Sequence, residues 1–254
     1  MPYRFVTQSG DYRDLASGKV LYHLPGHPAF PVRLASEIFQ RAVLLLDQDR
    51  DQDRIRIYDP CCGNAYLLTV LGFLHGDRIS DISASDIDSQ ALSIARRNLS
   101  LLTPEGLEVR RAEITALKTR FGKDSHKQAL ESVERLGTRL EEIYRIHAIT
   151  TNVFLVDALH PQALQNHFHK PDRNLVITDI PYGRISTWKT SGASQDLDQE
   201  PAWVLLERLR RVLLPGAIIA VASAKEQKIR HASYTPAGKM RSVGKRLVTF
   251  LRLF

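Results

Sequence analysis

The chain has 254 residues, 43% of them hydrophobic and 25% charged, the composition of one large globular domain or one domain carrying an insertion. Its only two cysteines, Cys61 and Cys62, are adjacent, which excludes a disulfide framework and points to a reducing, cytosolic compartment. No basic stretch followed by an apolar run opens the sequence. Runs such as Leu67–Leu71 and Ala217–Ala222 are too short to cross a bilayer, so a soluble cytoplasmic protein with no membrane partner is expected.

Residues 1–30 read as an N-terminal arm. They end in the proline-rich loop Pro25–Pro31, and the rest, 31–254, reads as one domain. Pro31 suits a first helical turn, and Leu34, Ala35, Ile38, Phe39, Ala42, Val43 and Leu46 follow at the spacing of an amphipathic helix. Ile55–Asp59 alternates as a strand. Tyr66–Leu74 is a buried helix, Ile82–Asp86 a second strand and Ser89–Leu102 a second helix. Helix and strand in alternation predict an α/β fold with a parallel sheet covered on both faces.

The alternation then pauses for a helical insertion at about 104–147. There Leu130, Val133, Leu136, Leu140 and Ile143 share one face. Nine basic and seven acidic residues nearly cancel across 108–147, which reads mainly as a solvated face, with RNA contact left open but not indicated by charge. Strands resume at Ile149–Val156 and Asn174–Asp179, with a short helix or loop at Ala158–Phe168 between them. A helix over Ala202–Leu214, stopped by Pro215-Gly216, precedes strands at Ala217–Val221 and Leu247–Phe254.

The net charge of +7 is not spread evenly. Residues 225–254 hold eight basic residues, Lys239, Arg241 and Lys245 among them, against the single acid Glu226. The first 224 residues hold 27 of each sign. A basic excess interleaved with Tyr234 and Phe250 suits a polyanion-binding surface better than a merely solubilising tail.

Chemistry concentrates where strands end. Asp59-Pro-Cys61-Cys62-Gly63-Asn-Ala65 joins a strand to a helix, and a glycine there lets backbone approach a nucleoside closely. The pattern is neither G-x-G-x-x-G nor a P-loop, which counts against a dinucleotide dehydrogenase or an NTPase. Asp86 ends the next strand 23 residues beyond Gly63, where a carboxylate can accept from ribose hydroxyls, with Asp88 as a rival and helix capping as the alternative role. Asp157 stands past the third strand, either to accept from an adenine amine or to cap a turn. Asp179-Ile-Pro181-Tyr182-Gly183 follows the fourth strand, either as an ordinary proline turn or as a grip on a planar base. Four such junctions on one sheet edge form a ligand-binding rim.

These junctions resemble the Rossmann-like, class I S-adenosylmethionine methyltransferases with an N/D-P-P-Y motif. More narrowly, the chain resembles the avilamycin-resistance type of 23S rRNA guanine methyltransferases. Pro28–Ala35, Glu37–Ala42, Asp59–Gly63, Tyr66–Gly72, Arg120–Lys123 and Asp179–Gly183 carry that resemblance. It implies a mostly parallel seven-stranded sheet flanked by helices and S-adenosylmethionine as cofactor. It also implies a monomer acting on ribosomal RNA or the large subunit, with antibiotic resistance as a role. Asp59, Cys61, Gly63, Asp86, Asp157 and Asp179 would bind the cofactor, and Asp179, Pro181 and Tyr182 would serve catalysis. Phe30, Arg33, Tyr182, Gly183, Lys239, Arg241 and Lys245 would meet the substrate, although Arg33 equally suits a salt bridge at a helix start. The target would be guanine, N1 before N2.

Two residues depart from the general pattern: Ala65 replaces a second glycine, and Ile180 a first proline. The competing readings are exocyclic-amine methylation of guanine or adenine in RNA or DNA, and an RNA-binding protein on a decayed methyltransferase fold. A small-molecule methyltransferase leaves the basic segment unexplained. Cysteine nucleophilic catalysis is disfavoured by the place of Cys61 and Cys62 inside the turn, and no Cys/His set has zinc spacing, so no metal is expected, His23 and His27 included.

Overall fold

The computed structural model describes residues 11–26, 28–46, 54–181, 188, 199–238, 241–244 and 246–254, with Arg241 and Val243 described through their backbone alone. In chain order the elements are α1 (Val32–Leu45), β1 (Ile55–Asp59), α2 (Tyr66–His75), β2 (Ile79–Asp86), α3 (Ser89–Ser100), α4 (Pro104–Phe121), α5 (Asp124–Tyr144), β3 (Thr150–Leu155), β4 (Arg173–Asp179), α6 (Pro201–Leu209), β5 (Leu213–Ala224), β6 (Tyr234–Pro236), β7 (Arg241–Val243) and β8 (Arg246–Leu253).

The strands pair in the order β3-β2-β1-β4-β5-β8-β6. The first five run parallel, and β8 enters antiparallel between β5 and β6. β6 and β7 lie along the same edge of β8, opposite Leu251–Leu253 and Arg246–Val248 respectively. They act as one interrupted strand, which makes this the expected seven-stranded, mostly parallel sheet.

Alternation along the strands sorts side chains into two cores. Ile57, Leu175, Ile177, Ile218, Ala220 and Ala222 face the layer of α1, α2, α3 and α5. Tyr58, Val176, Ile219 and Val221 face α6 and the segment 158–168. Strand segments buried on both sides need apolar residues at nearly every position, and Leu175–Ile177 of β4 and Ala217–Ala222 of β5 supply them.

Residues 11–26 belong to the first core rather than standing apart from it. Leu15, Val20, Leu21 and Tyr22 are buried. Arg97 and Arg110 stack on the Tyr22 ring, 3.8 and 4.2 Å from its centre, while the Tyr22 hydroxyl donates to Glu113.

The insertion is a two-helix hairpin. Thr103 caps α4 by accepting from the Gly106 N–H, Pro104 opens the helix, and Gly122 ends it with a φ of 60° that glycine adopts without strain. α5 buries Val133, Leu136, Leu140 and Ile143 as its spacing predicts.

Three sequence expectations require correction. Pro31 sits just before α1 and not in its first turn. The helix expected over 202–214 ends at Leu209, because Val212–Leu214 is an apolar run equally fit for a buried strand. Pro215 and Gly216 occupy a bulge in β5 opposite β4, where Arg173 pairs with Leu213 but Leu175 already pairs with Ile218. β6 and β7 were not foreseen; three residues each leave no periodicity to detect.

Candidate active site

In a parallel sheet every strand points its carboxyl end to the same edge, so the acids that close β1, β2 and β4 and the one just past β3 share one rim. Each is already held. The Asp59 carboxylate accepts from the Cys61 N–H at 3.0 Å. Asp86 accepts from the Gly63 N–H at 2.8 Å and from the Asp88 N–H at 3.0 Å, so it bridges the glycine turn and its own. Asp88 itself caps α3 through the Gln90 and Ala91 N–H groups, which separates the two rivals. Asp157 accepts from the Leu159 N–H at 3.0 Å and closes its own turn.

The glycine turn is tight. Gly63 and Ala65 both have a φ of 53°, and Ala65 is fully buried. A second glycine is the common choice at such a position because an alanine there strains the backbone. The turn is pinned by the Cys62 N–H to the Ser85 carbonyl and by the Asn98 amide to the Asn64 carbonyl at 2.9 Å. Asn98 also holds the Tyr22 backbone from both sides. Its signal was present in the sequence, as an amide on the apolar face of α3 beside Ala91, Ala95 and Leu99.

Asp59 is buried, and burial raises its carboxyl pKa to about 7, with Asp86 and Asp179 nearby adding to the rise. Burial likewise pushes both the Cys61 and Cys62 thiols well above their ordinary range, away from the reactive thiolate.

At the fourth junction the Asp179 carboxylate meets the Arg246 guanidinium at 3.4 Å. The same guanidinium lies 5.2 Å from the Phe30 ring centre. Phe30, expected at the substrate mouth, is thus buried beneath Arg246 and joined through it to Asp179. The Pro181 carbonyl accepts from the Gln227 side chain at 3.1 Å, and Gln227 also accepts from the Ala224 N–H. Arg246 and Gln227 stand 67 and 46 residues from their partners. Arg246 entered the sequence reading only as one charge among eight, and Gln227 did not enter it at all.

Arg33 is exposed on the first turn of α1 and makes no ion pair among the described residues. The backbone of Arg241 runs in β7. Tyr182, Gly183, Lys239, Lys245 and His27 lie outside the described residues.

The donor preferences of this rim suit S-adenosylmethionine. Four carboxylates can meet a sulfonium, an amine and ribose hydroxyls, all of them cations or hydrogen-bond donors, and the left-handed turn at Gly63 exposes backbone where a side chain would otherwise intervene. Strand order and acidic rim together define the Rossmann-like class I methyltransferase fold.

The comparisons narrow this further. The family described as rRNA methyltransferase AviRa matches residues 1–246. A 23S rRNA (guanine(2535)-N(1))-methyltransferase of Streptomyces viridochromogenes is 40% identical over 219 residues, covering 86% of this chain and 84% of the relative. The solved structure of rRNA methyltransferase AviRa from that organism superposes with a TM-score of 0.84 at 37% identity, over 99% of this chain and 96% of the other. TrmN from Thermus thermophilus shares the fold, with a TM-score of 0.52 at 14% identity over 91% of this chain and 51% of that one. The chain belongs to the AviRa family of rRNA methyltransferases.

Proposed function

We propose that the chain methylates N1 of a guanine in 23S rRNA with S-adenosylmethionine as donor. The observation that carries this reading is the coincidence of the family match with an intact acidic rim on the ligand edge of the sheet. A decayed scaffold would have no reason to keep four acids at four strand ends.

In this reading Asp86 takes ribose hydroxyls, Asp157 the adenine amine, and Asp59 and the Cys61–Gly63 backbone the remainder of the cofactor. When bound, S-adenosylmethionine supplies a methyl group on a sulfonium, already an excellent leaving group. The residues of the chain must then place one nitrogen and remove one proton. The guanine leaves its stack and lies against Tyr182. Asp179 accepts a hydrogen bond from N1–H and takes that proton as N1 forms its bond to carbon. Arg246 orients the Asp179 carboxylate, and Gln227 steadies the Pro181 loop. Arg33, Gly183, Lys239, Arg241 and Lys245 serve the RNA around the target base.

The test is methyl transfer from labelled S-adenosylmethionine to RNA that lacks the modification, followed by nucleoside mass spectrometry. N1-methylguanosine in large-subunit rRNA is the expected product. N2-methylguanosine would move the target to the exocyclic amine, and no incorporation into RNA or subunits would overturn the reading.

A further inference from the structure

The α4–α5 hairpin is nearly neutral as a whole, but its charge is divided. Along the stem, cations are committed to partners, with Arg145 just past α5 the exception among the described residues. Arg110 pairs with Glu113, Arg111 with Glu108 and Glu134, and Arg135 with Asp14, while Arg139 donates to the carbonyls of Phe73 and Leu74. Residues 118–127, around the turn, carry Lys118, Arg120, Lys123 and Lys127 against the one acid Asp124. All four cations are exposed, and among the described residues none of them forms an ion pair.

Between these cations stands Phe121, whose side chain is half exposed where most of the described aromatics are buried. The Arg120 guanidinium lies 5.0 Å from the centre of its ring. Gly122 turns the chain with open space where a side chain would project, and the His126 ring lies 6.3 Å from that of Phe121, tilted by 51°.

The tip also points the right way. Toward its carboxyl end α5 touches the end of α2 through Arg139. Further back, Ser132 and Arg135 hold Asp14, and the adjoining Leu15 carbonyl accepts from Tyr66 at the start of α2. The start of α2 lies at the carboxyl edge of the sheet, directly after the glycine turn. At 1.5 Å per residue, the eight residues from Ser132 back to Asp124 extend about 12 Å further along α5, away from Arg139.

We propose that the hairpin tip, Lys118–Lys127, is an RNA contact that holds the strand flanking the target guanine, with Phe121 stacking on an unpaired base and Arg120, Lys123 and Lys127 meeting phosphates. This rests on the rRNA substrate proposed above and adds to it a surface separate from the basic terminal segment. Unpaired cations around an exposed ring fit a single-stranded polyanion: the cations follow phosphates, and the ring accepts any base face.

The experiment measures binding of the full-length protein to a 23S rRNA fragment over a range of salt concentrations, alongside S-adenosylmethionine binding by calorimetry. Replacing Arg120, Lys123 and Lys127 together by Ala should weaken RNA binding at least tenfold and lower the slope of log affinity against log salt by about 2, while leaving cofactor binding unchanged. Phe121→Ala should lose about tenfold with the salt slope intact, because stacking does not displace counterions. Arg111→Gln, which removes a paired cation of the stem, should bind as the wild type does. Unchanged affinity and slope in the triple variant, or an equal loss from Arg111→Gln, would overturn the assignment. Failure of the two proposals is distinguishable. RNA binding that depends on the tip with no methyl transfer would sink the reaction alone, and methyl transfer with indifferent tip variants would sink the tip alone.

Discussion

The rim of the sheet and the tip of the hairpin are both places where like charges gather, and the protein treats them in opposite ways. At the rim every acid is gripped: Asp59, Asp86 and Asp157 by backbone N–H groups and Asp179 by Arg246. At the tip Lys118, Arg120, Lys123 and Lys127 are exposed on long side chains outside any ion pair among the described residues. Fixed dipoles and fixed carboxylates suit a small ligand that must sit in one pose. Exposed cations outside ion pairs suit a polymer whose phosphates recur and whose exact placement matters less. Where a charge cluster is anchored thus separates binding of the reacting groups from binding of the substrate's bulk.

The comparison breaks most visibly at Asp179. Asp179→Ala should lower kcat by a factor of about 10² to 10⁴, the usual contribution of a positioned proton acceptor, with RNA and cofactor binding nearly intact. Equal loss of cofactor binding would reduce Asp179 to another anchor of the rim. Arg246→Gln keeps the carboxylate but removes its partner, so a smaller loss, about tenfold, should fall on kcat and not on the KM for RNA. Arg246→Lys should recover part of it. A loss confined to KM would instead make Arg246 one more phosphate contact, like the tip.

Much of this is legible in the sequence alone. The helices and parallel strands follow from spacings of 3.6 and 2, and the glycine turn, Asp86 and Asp179 follow from their place at strand ends. Illegible were the contacts that close over long separations. Nothing local ties Arg246 to Asp179 or Gln227 to Pro181. β6 and β7 exist because β8 offers an edge, and not because their own residues demand extension. The tip was hidden by averaging, since a count over forty residues cancels a basic end against an acidic stem that only pairing separates.

Asp59 provides a sharper test of how the rim is anchored. Its carboxyl titrates near 7 in the folded chain, raised chiefly by burial, against about 3.9 when unfolded. Between those values the folded state binds more protons, so stability from this group is fully present below about pH 4 and is lost as pH rises through about 7. The stability of the wild type measured against Asp59→Asn by urea unfolding should therefore fall across about pH 4 to 7 and level off above it, by at most about 1.4 kcal/mol per pH unit. Parallel profiles for the two proteins would show that Asp59 stays ionised throughout. S-adenosylmethionine, a cation, should bind the wild type more tightly as pH rises through about 7, and the variant should lose that dependence.

The smallest effect belongs to Ala65, the departure from a second glycine in the turn. Its φ of 53° costs an alanine about 1 kcal/mol. Glycine would relieve that strain. It would also forfeit a methyl group that is wholly buried, a loss of about 0.8 kcal/mol, and add freedom to the unfolded chain worth a further 0.5–1 kcal/mol or so. These contributions nearly cancel, so Ala65→Gly should leave stability within about 1 kcal/mol of the wild type, read by the same urea titration. A gain of cofactor affinity without a change in stability would mean that the methyl crowds the ligand. A loss of stability well beyond 1 kcal/mol would mean that it fills space the turn needs, and that this chain closes its rim by packing where the general pattern relies on glycine.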